Sequence, residues 1–156
     1  MPLRSAALVS THFTAAELGA DKPSASTAIV ANLSKLASYL EALRAVLGVP
    51  LRVTSGYRSP DENAEVGGVA SSDHVVGLAA DVVPLGVEQY AAYQQIEAAV
   101  GRGTLPAWDQ LIFYPVQGHL HVGIGERQRR ELRVALAEGG YPLLTAETVR
   151  QLRGFV

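Results

Sequence analysis

The sequence contains no cysteine, and only 18% of its 156 residues are charged. The absence of cysteine excludes disulfide frameworks, zinc ribbons, iron–sulfur clusters and thiol nucleophiles. Thirteen lysines and arginines stand against fifteen aspartates and glutamates, so the chain has no basic excess to neutralise phosphates. We therefore expect neither nucleic acid nor a membrane as a partner. Any metal site has to be built from histidine, aspartate and glutamate.

Long apolar runs are also missing. No stretch approaches the roughly 20 apolar residues that a membrane-spanning helix needs, and the apolar run at 6–9 is too short for a signal peptide. We therefore expect a soluble protein that is made in the cytoplasm. With 48% hydrophobic residues, the chain has enough apolar side chains for one core.

The hydrophobic periodicity predicts an α+β fold, in which helices pack on a small antiparallel sheet. Thr14 and Glu17 have the spacing of a capping box, which marks the start of a short helix. The predicted helices lie near 15–19, over 26–47 and near 87–100. The predicted strands lie at 51–55, 79–83, 111–114 and 119–122, the last two joined as a hairpin.

The segment 56–73 has no periodicity, which predicts a long loop of the kind that often carries function. Residues 126–156 hold six basic and four acidic side chains, whereas 1–125 hold seven and eleven. We expect a mildly basic, helical extension at 126–156, packed on a domain of residues 1–125. Its arginines are expected on the solvated face of a terminal helix, with a docking surface as the alternative; they are Arg127, Arg129, Arg130 and Arg133.

Three histidines and one aspartate form the most informative pattern. His74 follows the predicted loop, Asp81 lies on the next strand, and His119 and His121 share one face of a later strand. Two imidazoles and a carboxylate are a ligand set of catalytic zinc, which lowers the pKa of its bound water to about 7. The spacing leaves two other readings open, a surface pair of histidines and a carboxylate that fixes a histidine tautomer.

The motifs together resemble the zinc D-alanyl-D-alanine carboxypeptidases, which share their fold with the hedgehog signalling domain. The resemblance spans about residues 8–125 and rests on SGYRSP at 55–60, Asn63, VGG at 66–68, SDHVVGLAAD at 72–81, WDQLI at 108–112 and HLHV at 119–122. The opening THFTAAEL at 11–18 is similar to the start of short, phage-type members of the family.

The resemblance implies that His74, Asp81 and His121 are zinc ligands. It also implies that Arg58 meets the substrate, since a guanidinium fork suits a terminal carboxylate or a backbone carbonyl. An arginine that caps a helix or pairs with a neighbouring aspartate is the alternative. Ser72 corresponds to a family serine that would hydrogen-bond Asp81, bind substrate or make a turn.

The general base of the family is not visible in this sequence. Relatives carry an acid three or six positions before the last zinc histidine, where this chain has Gly118 and Pro115. His119 is expected to move protons or to donate to an oxyanion, and Tyr114 to hydrogen-bond a tetrahedral intermediate. The other candidates are the carboxylates of Asp109, Glu62, Glu65 and Asp73.

These observations predict a zinc metallopeptidase that hydrolyses peptidoglycan stem peptides through a zinc-activated water, as a D-Ala-D-Ala carboxypeptidase or an endopeptidase. His119 and Arg58 are the expected catalytic residues, and Arg58, Ser72 and Tyr114 the expected substrate-binding residues. The alternative is a non-catalytic zinc-binding relative that serves as a phage structural or cell-wall-binding module. We expect a monomer that acts at the cell wall after phage-type release or as a virion component, with phage-particle components as further partners.

Overall fold

The computed structural model describes residues 4–153. In this range helices pack on one five-stranded sheet, so the expected α+β class is confirmed. The helices are α1 (Ala15–Leu18), α2 (Thr27–Leu47), α3 (Pro60–Glu65), α4 (Gln89–Arg102) and α5 (Arg150–Arg153). The strands are β1 (Leu51–Ser55), β2 (Ala79–Pro84), β3 (Gln110–Tyr114), β4 (His119–Gly123) and β5 (Glu131–Val134). Residues 1–3 and 154–156, the outer ends of the expected domain and extension, lie outside the described residues.

The hydrophobic core lies between one face of the sheet and the helices α2 and α4. Ile96 of α4 and Leu111 of β3 are buried here. The leucine stripe along one side of α2 is buried as well and consists of Leu33, Leu36, Leu40, Leu43 and Leu47. Tyr93 of α4 meets Phe113 of β3 edge to face, with ring centroids 6.0 Å apart. The opposite face of the sheet is therefore free to carry polar side chains. Within residues 4–153, no helix combines the length and the apolar character needed to cross a membrane.

The sheet has the strand order β1-β2-β4-β3-β5 and is mixed, so the expectation of an antiparallel sheet holds only for β1 to β4. β5 pairs with β3 in parallel, with Leu132 opposite Leu111. After β4 the chain turns back past the start of β3, where Arg130 N donates to the Trp108 carbonyl at 3.2 Å. The chain therefore enters β5 in the direction of β3.

The prediction of a terminal helix that carries the arginines is wrong. Arg133 lies in β5, and the other three lie in the loop before it. Arg129 donates from Nε and Nη2 to the two carboxylate oxygens of Asp109, at 2.8 and 2.9 Å. Its neighbours Gln128 and Arg130 have φ angles of 46° and 57°, a left-handed conformation that costs about 1–2 kcal/mol per residue. The ion pair with buried Asp109 holds this strained loop in place.

The expected long loop at 56–73 contains the short helix α3. Ser59 and Glu62 form a capping box, with the Ser59 Oγ accepting from Glu62 N at 3.2 Å and a Glu62 oxygen accepting from Ser59 N at 2.9 Å. Pro60 occupies the first turn, where its missing N–H costs nothing. Lys22 Nζ also donates to Glu62, at 2.9 Å. This carboxylate is thus engaged in stabilising the helix.

We expect Asp109→Ala to lower the free energy of unfolding by about 2 kcal/mol at pH 7, because Arg129 loses its partner. The hydrogen bonds from Arg129 hold the pKa of Asp109 below its ordinary value. A lowered folded-state pKa gives stability that is complete above pH ~4 and is lost as the pH falls through that pKa. Urea unfolding at pH 7 and at about pH 2 measures the difference. The control is Glu138→Ala in the same extension, and a loss that is equal at both pH values would contradict the prediction.

Candidate metal centre

Side chains from all five strands form one row on the sheet face opposite the core. The cross-strand pairs are Ser55 with Asp81, Asp81 with His121, His121 with Ile112, and Ile112 with Arg133. Directly paired residues project to the same side of a sheet. Asp81 and His121 therefore lie next to each other, near the middle of the row.

His74 reaches this face from the 3-10 turn Asp73–Val76, where its side chain is only 2% exposed. Its Nδ1 lies 2.8 Å from the carbonyl oxygen of Gly56, which only accepts, so Nδ1 carries the proton. Gly56 packs so closely on Leu18 that a Cβ would lie 2.5 Å from the Leu18 carbonyl oxygen. His74 Nε2 is consequently left with its lone pair, on the side that faces Asp81. Sequence reasoning gave Gly56 no role, because its partner lies 18 residues further along.

The structure brings His74, Asp81 and His121 together. Asp81 Oδ1 lies 3.5 Å from His74 Nε2 and 3.0 Å from His121 Nδ1. The three ligand atoms lie within 4.8 Å of one another. The side chains of Asp81 and His121 are 17% and 18% exposed, so the group opens to solvent on one side.

The electrostatics of this group suit a divalent cation. Burial by itself would raise the pKa of Asp81, but the hydrogen bond from His121 and the neighbouring imidazole of His74 hold it well below its ordinary range. The group thus offers one anionic oxygen and two imidazole nitrogens. This donor set fits zinc with a position left open, and the residues present are able to hold such an ion.

Asp73 lies beside His121, near the edge of the ring that faces away from Asp81. A Cβ on Gly123 would lie 3.3 Å from His121 Nε2 and 3.5 Å from Asp73 Oδ2, and one on Gly125 would lie 2.6 Å from the same Asp73 oxygen. The two glycines leave room for a carboxylate beside the edge of the His121 ring that faces away from Asp81. Burial raises the pKa of Asp73, and the charge of Asp109 raises it further.

His119 and Tyr114 lie opposite each other on β4 and β3, on the same face as the ligands. Their rings stack with centroids 4.3 Å apart. Burial lowers the pKa of His119 and raises that of Tyr114. The neighbouring Tyr141 and Asp81 also raise the pKa of the Tyr114 hydroxyl, whereas the charge of Arg58 lowers it. Tyr114 thus lies between the ligands and the segment after β5.

Arg58 and Ser72 lie on the segments that bring His74 to the site. Arg58 N donates to the His74 carbonyl at 3.0 Å, and Arg58 Nε is buried without a hydrogen-bond partner among residues 4–153. The Ser72 Oγ accepts from His74 N at 3.3 Å and caps the 3-10 turn. Of the alternatives for Ser72, the structure therefore shows the turn-forming one.

The model of the family described as peptidase M15 matches residues 11–123, which include the three converging side chains and end with β4. The chain belongs to the peptidase M15 family. The expected relationship to zinc D-Ala-D-Ala carboxypeptidases is thereby confirmed at the level of the family. Membership makes this M15 protein a zinc metallopeptidase and a hydrolase. No curated protein matches the sequence significantly.

We expect His74→Ala and Asp81→Ala to weaken zinc binding more than about 100-fold, which exceeds the cost of losing an outer hydrogen-bond partner. Each substitution leaves two ligands where the ion needs three. Calorimetric titration and metal analysis after dialysis provide the measurement. His12→Ala is the matched control, since His12 pairs with Glu41 at 2.6 Å and lies outside the group. Undiminished zinc affinity in both ligand variants would show that the ion binds elsewhere.

Proposed function

We propose that this M15 peptidase hydrolyses the stem peptides of peptidoglycan, at their D-Ala-D-Ala end or at a cross-bridge. Its zinc ion would be held by His74, Asp81 and His121. The proposal depends above all on the convergence of these side chains on a solvent-open sheet face, within the region that the family model matches.

The ligand residues determine how a metal ion would be held and from which side a substrate can reach it. A zinc ion held there supplies Lewis-acid polarisation of the scissile carbonyl and an acidified water at neutral pH. Asp81 would contribute the negative charge, and the Gly56 carbonyl keeps the Nε2 lone pair of His74 on the side of Asp81, where it would bind the ion. With His74 only 2% exposed, substrate has to approach from the side of Asp81 and His121.

Arg58 is suited to fixing the substrate. Its Nε is a buried donor without a partner among the described residues, and such a donor is costly unless a ligand satisfies it. The charge of Arg58 also reaches Tyr114 on the ligand face. A guanidinium fork at this place would bind the terminal carboxylate or a carbonyl of a D-alanyl peptide in two-point fashion.

Tyr114 and His119 are the proposed partners of the reacting atoms. The ordinary pKa of a tyrosine, about 10, already keeps the Tyr114 hydroxyl protonated at neutral pH, and burial raises that pKa further. The hydroxyl is therefore able to donate to an oxyanion. The His119 imidazole lies on the same face and stacks on Tyr114, in a position to take up and return a proton.

A non-catalytic zinc-binding module is the second candidate. It is favoured by Pro115 and Gly118, which stand where relatives carry an acid and lie at the turn between β3 and β4. Zinc-loaded protein should be incubated with a peptide ending in D-Ala-D-Ala and with intact peptidoglycan. Released D-alanine would identify a carboxypeptidase, and new amino groups without D-alanine an endopeptidase. Inactivity with one zinc bound per chain would favour the binding module.

We expect Arg58→Ala to lower kcat/KM by about 10- to 100-fold, the value of a charge-assisted hydrogen bond to substrate. Zinc stoichiometry should not change, because Arg58 is not a ligand. Arg58→Lys should fail to restore activity, since a single ammonium cannot replace the two-point fork. Arg52→Ala, an exposed arginine on β1, is the control. Full activity of Arg58→Lys would exclude two-point binding.

A further inference from the structure

The chain after β5 folds back along that strand. Arg133 forms an antiparallel bridge with Leu143, and Leu144 N donates to the Leu132 carbonyl at 2.8 Å. We call residues 140–144 the return segment. It lies beyond residue 123, where the match to the family ends.

Arg133 ties the return segment to the row of side chains that contains the ligands. Arg133 is paired with Ile112, which in turn is paired with His121. Its Nη1 donates to the carbonyl of Tyr141 at 2.6 Å, and its Nε donates to Glu131. The backbone of Tyr141 is therefore fixed beside the ligand face.

The ring of Tyr141 extends a series of rings on this face. It meets Tyr114 at an interplanar angle of 62°, with centroids 6.1 Å apart. Tyr114 stacks on His119, which lies two residues before His121. Tyr141 is 52% exposed, so much of its ring is free to contact a ligand.

We propose that Tyr141 is a specificity-determining residue, which forms with Tyr114 the wall of the substrate groove on the β5 side. This inference rests on the proposed function. Arg58 follows β1, at the edge of the sheet opposite β5, and its N–H donates to the His74 carbonyl. A peptide that binds Arg58 and continues over the ligands therefore runs toward Tyr141. The backbone of the return segment lies three strand spacings from β4, and the ring of Tyr141 reaches back toward Tyr114. The ring therefore lies roughly 10–14 Å from His121, a distance that an extended peptide spans with three or four residues. The ring therefore packs against the substrate several residues away from the scissile bond, and a dipeptide is too short to reach it.

The test compares two substrates, the dipeptide D-Ala-D-Ala and a stem pentapeptide with the same end. Tyr141→Ala should raise KM for the pentapeptide about 3- to 10-fold, the range of one lost aromatic contact. Its zinc stoichiometry and its KM for the dipeptide should stay at wild-type values, and any change of kcat through the neighbouring Tyr114 hydroxyl should be the same for both substrates. Tyr141→Phe should keep the wild-type KM for the pentapeptide, because the ring makes the contact with the substrate. Val100→Ala is the control for the loss of an exposed apolar side chain, since Val100 is 40% exposed on α4, across the sheet.

An unchanged pentapeptide KM in Tyr141→Ala would overturn the inference while the proposed function stands. An equal rise in KM for both substrates would also overturn it, because it would reveal a general structural effect. If the wild type cleaves neither substrate, the proposed function fails. The role of Tyr141 in binding is then tested by calorimetric titration of zinc-loaded protein with the pentapeptide. Weaker binding by Tyr141→Ala than by the wild type would then support the inference, whereas equal or undetectable binding would overturn it.

Discussion

The hydrogen bond between His74 Nδ1 and the Gly56 carbonyl is the constraint on which the rest of the site depends. Asp81 and His121 are positioned by the sheet alone, because they are directly paired on β2 and β4. His74 lies on an irregular turn, where nothing in the sheet dictates its tautomer or its orientation. The Gly56 carbonyl supplies both, and the close packing of Gly56 on Leu18 fixes that carbonyl. The small helix α1 thus supports the site from a distance.

The sequence patterns predicted the parts of the fold that depend on local chemistry. The leucine stripe of α2 and the alternation along β4 are periodic, so the helix and the shared face of His119 and His121 could be inferred. The capping box of α3 was present at Ser59 and Glu62 but was overlooked within a segment rich in turn residues. That His74 joins Asp81 and His121 followed from the resemblance, because spacing alone does not define a turn.

The missed features depend on contacts between distant residues. β5 is four residues long and is defined by pairing with β3, about twenty residues earlier in the sequence. The arginines before it have the composition of a solvated helix, yet Arg129 is bound to buried Asp109. Neither the ion pair nor the parallel register leaves a periodic signal in the local sequence. The same holds for the contact between Tyr141 and Tyr114, which needs the whole course of the chain after β4.

The return segment also changes the edge of the sheet. A strand at a sheet edge exposes unpaired N–H and C=O groups, which invite other chains to add on and grow into fibrils. On the β5 side, Val134 N donates to the Pro142 carbonyl and Leu144 N to that of Leu132, so these groups are already satisfied within the molecule. Pro142 has no N–H group that could donate a hydrogen bond to an added strand. The return segment thereby protects the β5 edge of the sheet against aggregation through strand addition.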